Sequence, residues 1–386
     1  MTATRHKTPL PKISIISPSY QQGEFIEDTI QSVISQEYPF LEYIVIDGES
    51  SDNSVAIIKR YESRISFWIS EKDRGQTDAL NKGFRKATGE IIGWINSDDM
   101  LLPGALKKVG SFFQMNPDVS MIYGDAQAVD RHGKPLFIRK PGSFDLRWLI
   151  RTDDIPQSSV FFRRDFLVSI GYLDDRLHFA LDYDLLIKAG LHQDLVYLPE
   201  TLSAFRIYPE TKTSGGKTQF SVDIVYFIDN ILRNNPPNEN HILSLLTTQY
   251  WRIFEIILDR ETGKNLLNNL KNDPFVTEIT ESYVDTMYPH FFKITELPFS
   301  IDPSRLDSIL NESVSDLLAK YPDRLGLSDT CVKRWIRQQR LDIIIFSFRL
   351  WKCHWPKISI RLFSNICLSI PSLLKDTQFR KIIMKR

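Results

Sequence analysis

The sequence predicts an α/β domain with a doubly wound, nucleotide-binding layout, followed by a mainly α-helical C-terminal region. Three observations carry that expectation. Between residues 12 and 95, short apolar runs alternate with segments of helical spacing. The last of these runs, Ile91-Ile92-Gly93-Trp94-Ile95, ends abruptly in Asn96-Ser97-Asp98-Asp99. After Thr213-Ser214-Gly215-Gly216 the periodicity turns helical throughout.

Taken in order, Ile13-Ser14-Ile15-Ile16-Ser17 is a short strand ended by Pro18-Ser19-Tyr20. Phe25, Ile26, Ile30, Val33 and Ile34 fall at helical spacing and predict a helix over 24–36, with Pro39 just beyond it. Leu41 to Ile46 is a second strand, closed by Asp47-Gly48. A polar loop leads to a helix through Tyr61, and Ile65 to Ser70 is a third strand. The charged loop Glu71-Lys72-Asp73-Arg74-Gly75 precedes a helix to about Ala87. Gly89 then opens the fourth strand, and connections this short favour right-handed crossovers.

Further on, the spacing predicts a helix over 102–115 and a strand over 119–123. A turn over 131–134 precedes a strand over 136–139, and another strand covers 158–162. A short helix runs from Asp165 to near Gly171. A second covers 181–189 and is stopped by Gly190, and late strands cover 196–198 and 202–207. The expected partition is a catalytic α/β domain over 1–215, a helical region over 216–330 and a basic, aromatic-rich amphipathic tail over 331–386.

Hydrophobic content of 42% and charged content of 25% are ordinary for a globular chain. The net charge of +0 conceals an asymmetry, since Cys331 onward holds 13 Lys and Arg against 2 Asp. All three cysteines, Cys331, Cys353 and Cys367, lie there, in neither a disulfide nor a zinc pattern. Reduced thiols and a cytoplasmic location are therefore expected. No secretory leader is visible, and no apolar run reaches the ~20 residues of a spanning helix.

The acidic pair points to chemistry. Two ionised carboxylates cannot be buried bare, so they belong at the open carboxyl end of their strand, where α/β sheets bind ligands. Adjacent oxygen ligands suit Mg²⁺ or Mn²⁺, whose shell is completed by water and substrate phosphates. Ser97-Asp98-Asp99 thus reads as a metal site on a nucleotide diphosphate. The same residues also fit acidic positions in a helix's first turn before Pro103.

Four motifs in order resemble the inverting glycosyltransferases of family 2, which have the GT-A fold, over residues 12 to about 207. They are Ser17-Pro18-Ser19-Tyr20, Asp47-Gly48, Ala87-Thr88-Gly89-Glu90 leading into Ser97-Asp98-Asp99, and Leu181-Asp182-Tyr183-Asp184 in place of the family's acidic motif. The resemblance implies that Pro18, Ser19, Tyr20, Asp47, Arg74, Asp78 and Asp98 bind the nucleotide-sugar. Asp47 would accept from a uracil-type imide N–H, and Tyr20 would offer a ring for stacking. Asp98 would reach the ribose and the metal, and Asp99 would bind Mg²⁺ or Mn²⁺. Asp182 would act as general base on the acceptor hydroxyl.

Leu181 stands where the family has Glu, Leu80 where it has Arg, and Tyr208 where it often has a metal-binding His. Arg74 is the candidate to replace the missing Arg. Pro156-Gln157-Ser158 is placed for acceptor recognition or is a plain loop-to-strand junction. The expected activity is metal-dependent, inverting transfer of a sugar from a nucleotide-sugar, UDP-linked, to a hydroxyl of a glycan or lipid-linked glycan. A sugar nucleotidyltransferase and a non-catalytic sugar-nucleotide-binding scaffold are the alternatives.

The tail interleaves Trp335, Trp351 and Trp355 with Arg337, Arg340, Arg349, Lys352 and Lys357. That composition suits an anionic membrane surface, and equally a packed helical subdomain with a solvated basic side. The resulting expectation is a peripheral protein on the inner face of the plasma membrane, with no nucleic-acid partner.

Overall fold

The computed structural model describes residues 9–212 and 217–234, together with Pro237, His241, Leu245, Thr248 and Arg252. The chain divides into two compact units, Met1–Ile224 and Val225–Arg386. The tail over 331–386 lies outside the described residues, as does most of the expected helical region over 216–330.

The first unit is built on one mixed sheet. Strands β1 (Ile13–Ser19), β2 (Leu41–Asp47), β3 (Phe67–Ser70) and β4 (Ile91–Trp94) are all parallel, in the order β3-β2-β1-β4. This is the doubly wound start expected from the apolar runs. β1 is buried along its whole length, which explains its near-continuous apolar sequence.

Side-chain alternation sends Ile13 and Ile15 to one face. There they join Ile26, Ile30 and Val33 of α1 (Ile26–Ile34), Ile57 and Ile58 of α2 (Ser54–Arg60), and Leu106 and Val109 of α4 (Ala105–Met115). Each such fully buried side chain contributes about 1.5–3 kcal/mol relative to exposure. α3 (Gln76–Lys86) also packs on β1, and its Phe84 meets Trp94 of β4 with ring centroids 5.6 Å apart.

Beyond β4 the sheet turns antiparallel. β8 (Val160–Arg163) pairs with β4 and with β6 (Met121–Val129). β6 then pairs with β9 (Val196–Arg206) in parallel, and β9 carries the two-residue β5 (Met100–Leu101) at the edge. β7 (Pro135–Arg139) returns on β6 as the expected hairpin.

Several boundaries differ from expectation. β6 does not stop at Tyr123 but runs on through Gly124-Asp125 beside β9, with register shifts at that place. The two late strands are one strand, β9. α5 (Leu146–Thr152) and β5 were not expected, and α6 spans Arg164–Ser169.

Gly190 does not end α7 (Leu181–His192). It lies inside the helix, where an added Cβ would sit 2.8 Å from Leu146 Cδ1 and 2.9 Å from Phe144 Cζ. The glycine serves close packing against α5, not a helix stop. The last described helix, α8, covers Lys217–Asn234.

Candidate active site

The carboxyl ends of β1 and β4 open onto a cleft of about 660 Å³. Its walls include Pro18, Ser19 and Tyr20 from the end of β1, and Asp98 and Asp99 after β4. β4 hydrogen-bonding ends when Ile95 N–H reaches Ile16 O, and a tight turn, Asp99 N–H to Asn96 O at 3.0 Å, projects the acidic pair.

The turn is held from three elements. Ser97 Oγ donates to Pro18 O, Thr29 Oγ1 of α1 donates to Asp99 O at 2.7 Å, and Arg206 Nη1 at the end of β9 donates to Asp98 O at 2.7 Å. Arg206 is buried and also pairs with Asp28 at 2.6 Å.

The carboxylates themselves have few donors. Asp98 Oδ2 accepts from Tyr208 Oη at 2.9 Å. Asp99 Oδ1 accepts from Arg206 N–H at 3.0 Å, and Oδ2 faces Asn96 Nδ2 at 3.4 Å. Burial, chiefly, lifts both carboxyls above the usual range, and the charge of Asp98 lifts Asp99 further. A buried Asp99 and a half-buried Asp98, each only partly satisfied in an open cleft, fit a divalent cation held by the two carboxylates. Among the described residues no cluster of three or more His, Cys, Asp or Glu surrounds them, so water and phosphate oxygens would complete the shell.

The structure distributes the other expected residues unevenly. Tyr20 is 62% exposed at the cleft, free to receive a planar ring. Asp47 is fully buried and is not among the wall residues. Its carboxylate accepts from Ser19 Oγ, Ser50 Oγ, Ser50 N–H and Ser70 Oγ at 2.6–3.0 Å.

The wall above Asp47 is Gly48, and the space a Cβ would take there is filled by Asp73, whose Oδ2 lies 2.7 Å from that position. Asp73 lines the cleft, and burial, aided by the charges of Asp78 and Asp47, raises its carboxyl.

Arg74 and Asp78 are also outside the walls. Arg74 is held by Asp78 at 3.2 Å and Asp175 at 2.8 Å. Among the described residues the cations that line the cleft are Lys72, Arg206 and Lys212. Lys72, Asp73 and Lys212 had no assigned role in the sequence reading; a charged loop and a residue after the last strand carry no distinctive spacing.

Asp182, half-buried in the first turn of α7, accepts from Tyr183 N–H at 2.9 Å. Burial raises its carboxyl, and the charge of Lys212 pulls it back. Asp184 points elsewhere, to Lys188 at 2.6 Å, as two positions of one helix separated by two residues require. The segment before α7 is fixed by Asp223 of α8, which accepts from the N–H groups of His178, Phe179 and Ala180 at 2.6–3.1 Å. Gln157 reaches Asn96 Nδ2 at 3.3 Å and donates to Trp94 O at 3.0 Å, close to the acidic pair. His192 caps its own helix at Lys188 O.

Residues 14–168 match the family described as Glycosyl transferase family 2. An uncharacterized glycosyltransferase of Mycobacterium tuberculosis is 30% identical over 187 residues, covering 48% of this chain and 71% of that protein. The chain belongs to glycosyl transferase family 2. A putative teichuronic acid biosynthesis glycosyltransferase of Bacillus subtilis, TuaG, is 33% identical over 138 residues, 34% of this chain and 54% of that one.

Among solved structures, residues 1–349 of Staphylococcus aureus TarS in complex with UDP-GlcNAc superpose with a TM-score of 0.56 at 17% identity, over 80% of this chain and 92% of that one. The chain spans 53% of a longer TarS structure. At this identity the likeness shows the fold, which is GT-A. The family 2 chain is therefore a glycosyltransferase with a GT-A sheet.

Proposed function

We propose that this family 2 glycosyltransferase is a metal-dependent, inverting enzyme that moves a sugar from a nucleotide-sugar to a hydroxyl of a glycan or lipid-linked glycan. The observation that carries the reading is the Asp98–Asp99 pair, short of donors and fixed from three elements in the wall of an open cleft. Asp98 and Asp99 would hold Mg²⁺ or Mn²⁺, which when bound supplies Lewis-acid stabilisation of the departing diphosphate.

The donor is proposed to be UDP-linked. Tyr20 stacks on the base, Pro18 and Ser19 line its pocket, and Asp73 meets its edge N–H across Gly48. Asp47 supports that wall from beneath through its serine hydroxyls. Asp78 acts indirectly, by tying Arg74 to the approach of α3. The neighbours support a nucleotide-sugar donor without selecting one: TarS is bound to UDP-GlcNAc, and a mannosyltransferase of Pyrobaculum calidifontis to GDP-Man and Mn²⁺.

Asp182 accepts the proton of the acceptor hydroxyl while its oxygen attacks the anomeric carbon. The bond from that carbon to the phosphate oxygen breaks on the opposite face, so the configuration inverts and the nucleoside diphosphate leaves with the bonding pair. A carboxyl raised by burial is a better base near neutral pH than an exposed one. Polysaccharide assembly is the proposed setting, in line with TuaG and with an O-antigen biosynthesis protein of Myxococcus xanthus that is 28% identical over 186 residues. A cytoplasmic location at the inner membrane face, with 331–386 on anionic lipid, belongs to the same proposal.

The test is transfer from radiolabelled UDP-sugars to a glycolipid extract. Asp99→Ala and Asp182→Asn should each abolish transfer while circular dichroism stays native. Near-normal transfer in both would end the mechanism.

A further inference from the structure

The cleft holds a cation to which the mechanism above gives no part. Lys212 follows β9, lines the cleft, and donates from Nζ to Gln76 Oε1 at 2.9 Å and to His178 O at 2.8 Å. Both partners lead to the chemistry. His178 begins the segment that delivers Asp182 at the start of α7. Gln76 opens α3, and its Nε2 donates to Asn96 Oδ1 at 2.9 Å, while Asn96 Nδ2 faces Asp99 Oδ2 at 3.4 Å.

The polarity of this chain is forced. An ammonium only donates, so Gln76 must turn its carbonyl to Lys212 and its amide hydrogens to Asn96. At the far side Gln157 is oriented by Trp94 O, which only accepts. Asn96 is thereby left with its amide hydrogens toward Asp99.

We propose that Lys212 is a positioning residue for the transfer, a cation seated by Gln76 and by the O of His178, which opens the segment leading to Asp182, and joined through two amides to Asp99. The inference rests on the roles of Asp182 and Asp99 proposed above. The charge of Lys212 favours the ionised Asp182 carboxylate, the form able to accept a proton, against burial, which favours the neutral acid. The other charged or titratable groups facing this corner are Asp223, which holds the 178–180 N–H groups and attracts Lys212, and His178, whose ring lies over Gly75.

The experiment is the pH profile of kcat/KM for the full chain with UDP-sugar and Mn²⁺. The variants are Lys212→Met, Lys212→Gln, Lys212→Arg and Gln76→Met. Removing the cation beside a carboxylate raises its pKa, so the acid limb of Lys212→Met should move up by about half to one pH unit, costing about three- to tenfold in rate on that limb and little on the plateau. Lys212→Gln, which keeps hydrogen bonding without charge, should move it equally and serves if the Met variant fails to fold.

Lys212→Arg should leave the limb in place, and Gln76→Met, which unseats the ammonium, should move it by less in the same direction. His178→Gln should not move it. An unmoved acid limb in Lys212→Met and Lys212→Gln, whatever happens to kcat, overturns the inference, as does an equal shift in Lys212→Arg. Full transfer by Asp182→Asn would instead remove the base itself, a separate failure seen without any Lys212 variant.

Discussion

Tyr208 Oη donates to Asp98 Oδ2 at 2.9 Å, so the residue that follows β9 by two positions ties its hydroxyl to the acidic pair. The acidic pair is thus provided with a neutral donor and, among the described residues, with no third acidic or imidazole ligand. Burial, first, and the charge of Asp98 push the Tyr208 phenol up, which keeps it protonated and donating.

Tyr208→Phe leaves a half-buried carboxylate short of a donor, at a cost of about 1 kcal/mol to the metal-free protein. A bound cation relieves that deficit. The melting temperature should therefore fall without metal, and the rise on adding Mn²⁺ should exceed that of the parent protein. Identical melting with and without Mn²⁺ in both proteins would contradict the role given to Tyr208.

Asp73 fills the space above Gly48 and lines the cleft, and the proposed reading makes it the carboxylate that meets a base stacked on Tyr20. A carboxylate accepts from the N3–H of uracil and opposes the bare N3 of cytosine. Asp73→Asn should cut the preference for UDP over CDP by about tenfold, the value of one buried hydrogen bond. Calorimetry on the four nucleoside diphosphates checks it. Asp47→Asn should lower stability and leave the ratio unchanged; a ratio that responds to Asp47 and not to Asp73 would reverse the assignment.

Glu42 supplies a stability prediction away from the cleft. Burial alone would raise its carboxyl, but hydrogen bonds from Lys12, Ser14 and Thr88 at 2.6–2.8 Å outweigh it and hold it at about 2 against a reference of 4.5. A depressed carboxyl stabilises the fold above its unfolded pKa, and the contribution is lost as pH falls from about 4.5 towards 2. At full strength it is on the order of 3 kcal/mol, trimmed by solvent around the half-exposed Lys12. Urea midpoints of Glu42→Gln should be lower than the parent's at pH 7 and converge with them near pH 2. Parallel pH curves would show that the cluster does not titrate this way.

The first four strands and the acidic turn were legible because each apolar run is bounded by Pro, Gly or charge, and because bare carboxylates can end such a run only at its open edge. The later half was harder, since tertiary contacts override local signals there. Gly124 reads as a break, yet it lets β6 pass β9, where an added Cβ would lie 2.7 Å from Glu200 O. α5 did have a signal: Asp145 accepts from Arg147 N–H and Trp148 N–H as its cap, and Leu146, Leu149 and Ile150 are buried at helical spacing. The expectation that Asp47 meets the base comes from the resemblance, and no local spacing shows that its carboxylate is enclosed by Ser19, Ser50 and Ser70, from three segments. Lys212 could not be found by spacing at all, because its partners, Gln76 and His178, are 136 and 34 residues away.

The central claim is that Asp98 and Asp99 hold a divalent cation against the donor diphosphate. Calorimetric titration of UDP into the full chain, with Mn²⁺ and again with chelator, tests it most directly when repeated on Asp99→Ala. The account predicts that UDP binding to the parent needs Mn²⁺ and that Asp99→Ala binds UDP weakly with or without it. Equal UDP affinity in Mn²⁺ and in chelator for the parent, unchanged in Asp99→Ala, would contradict it.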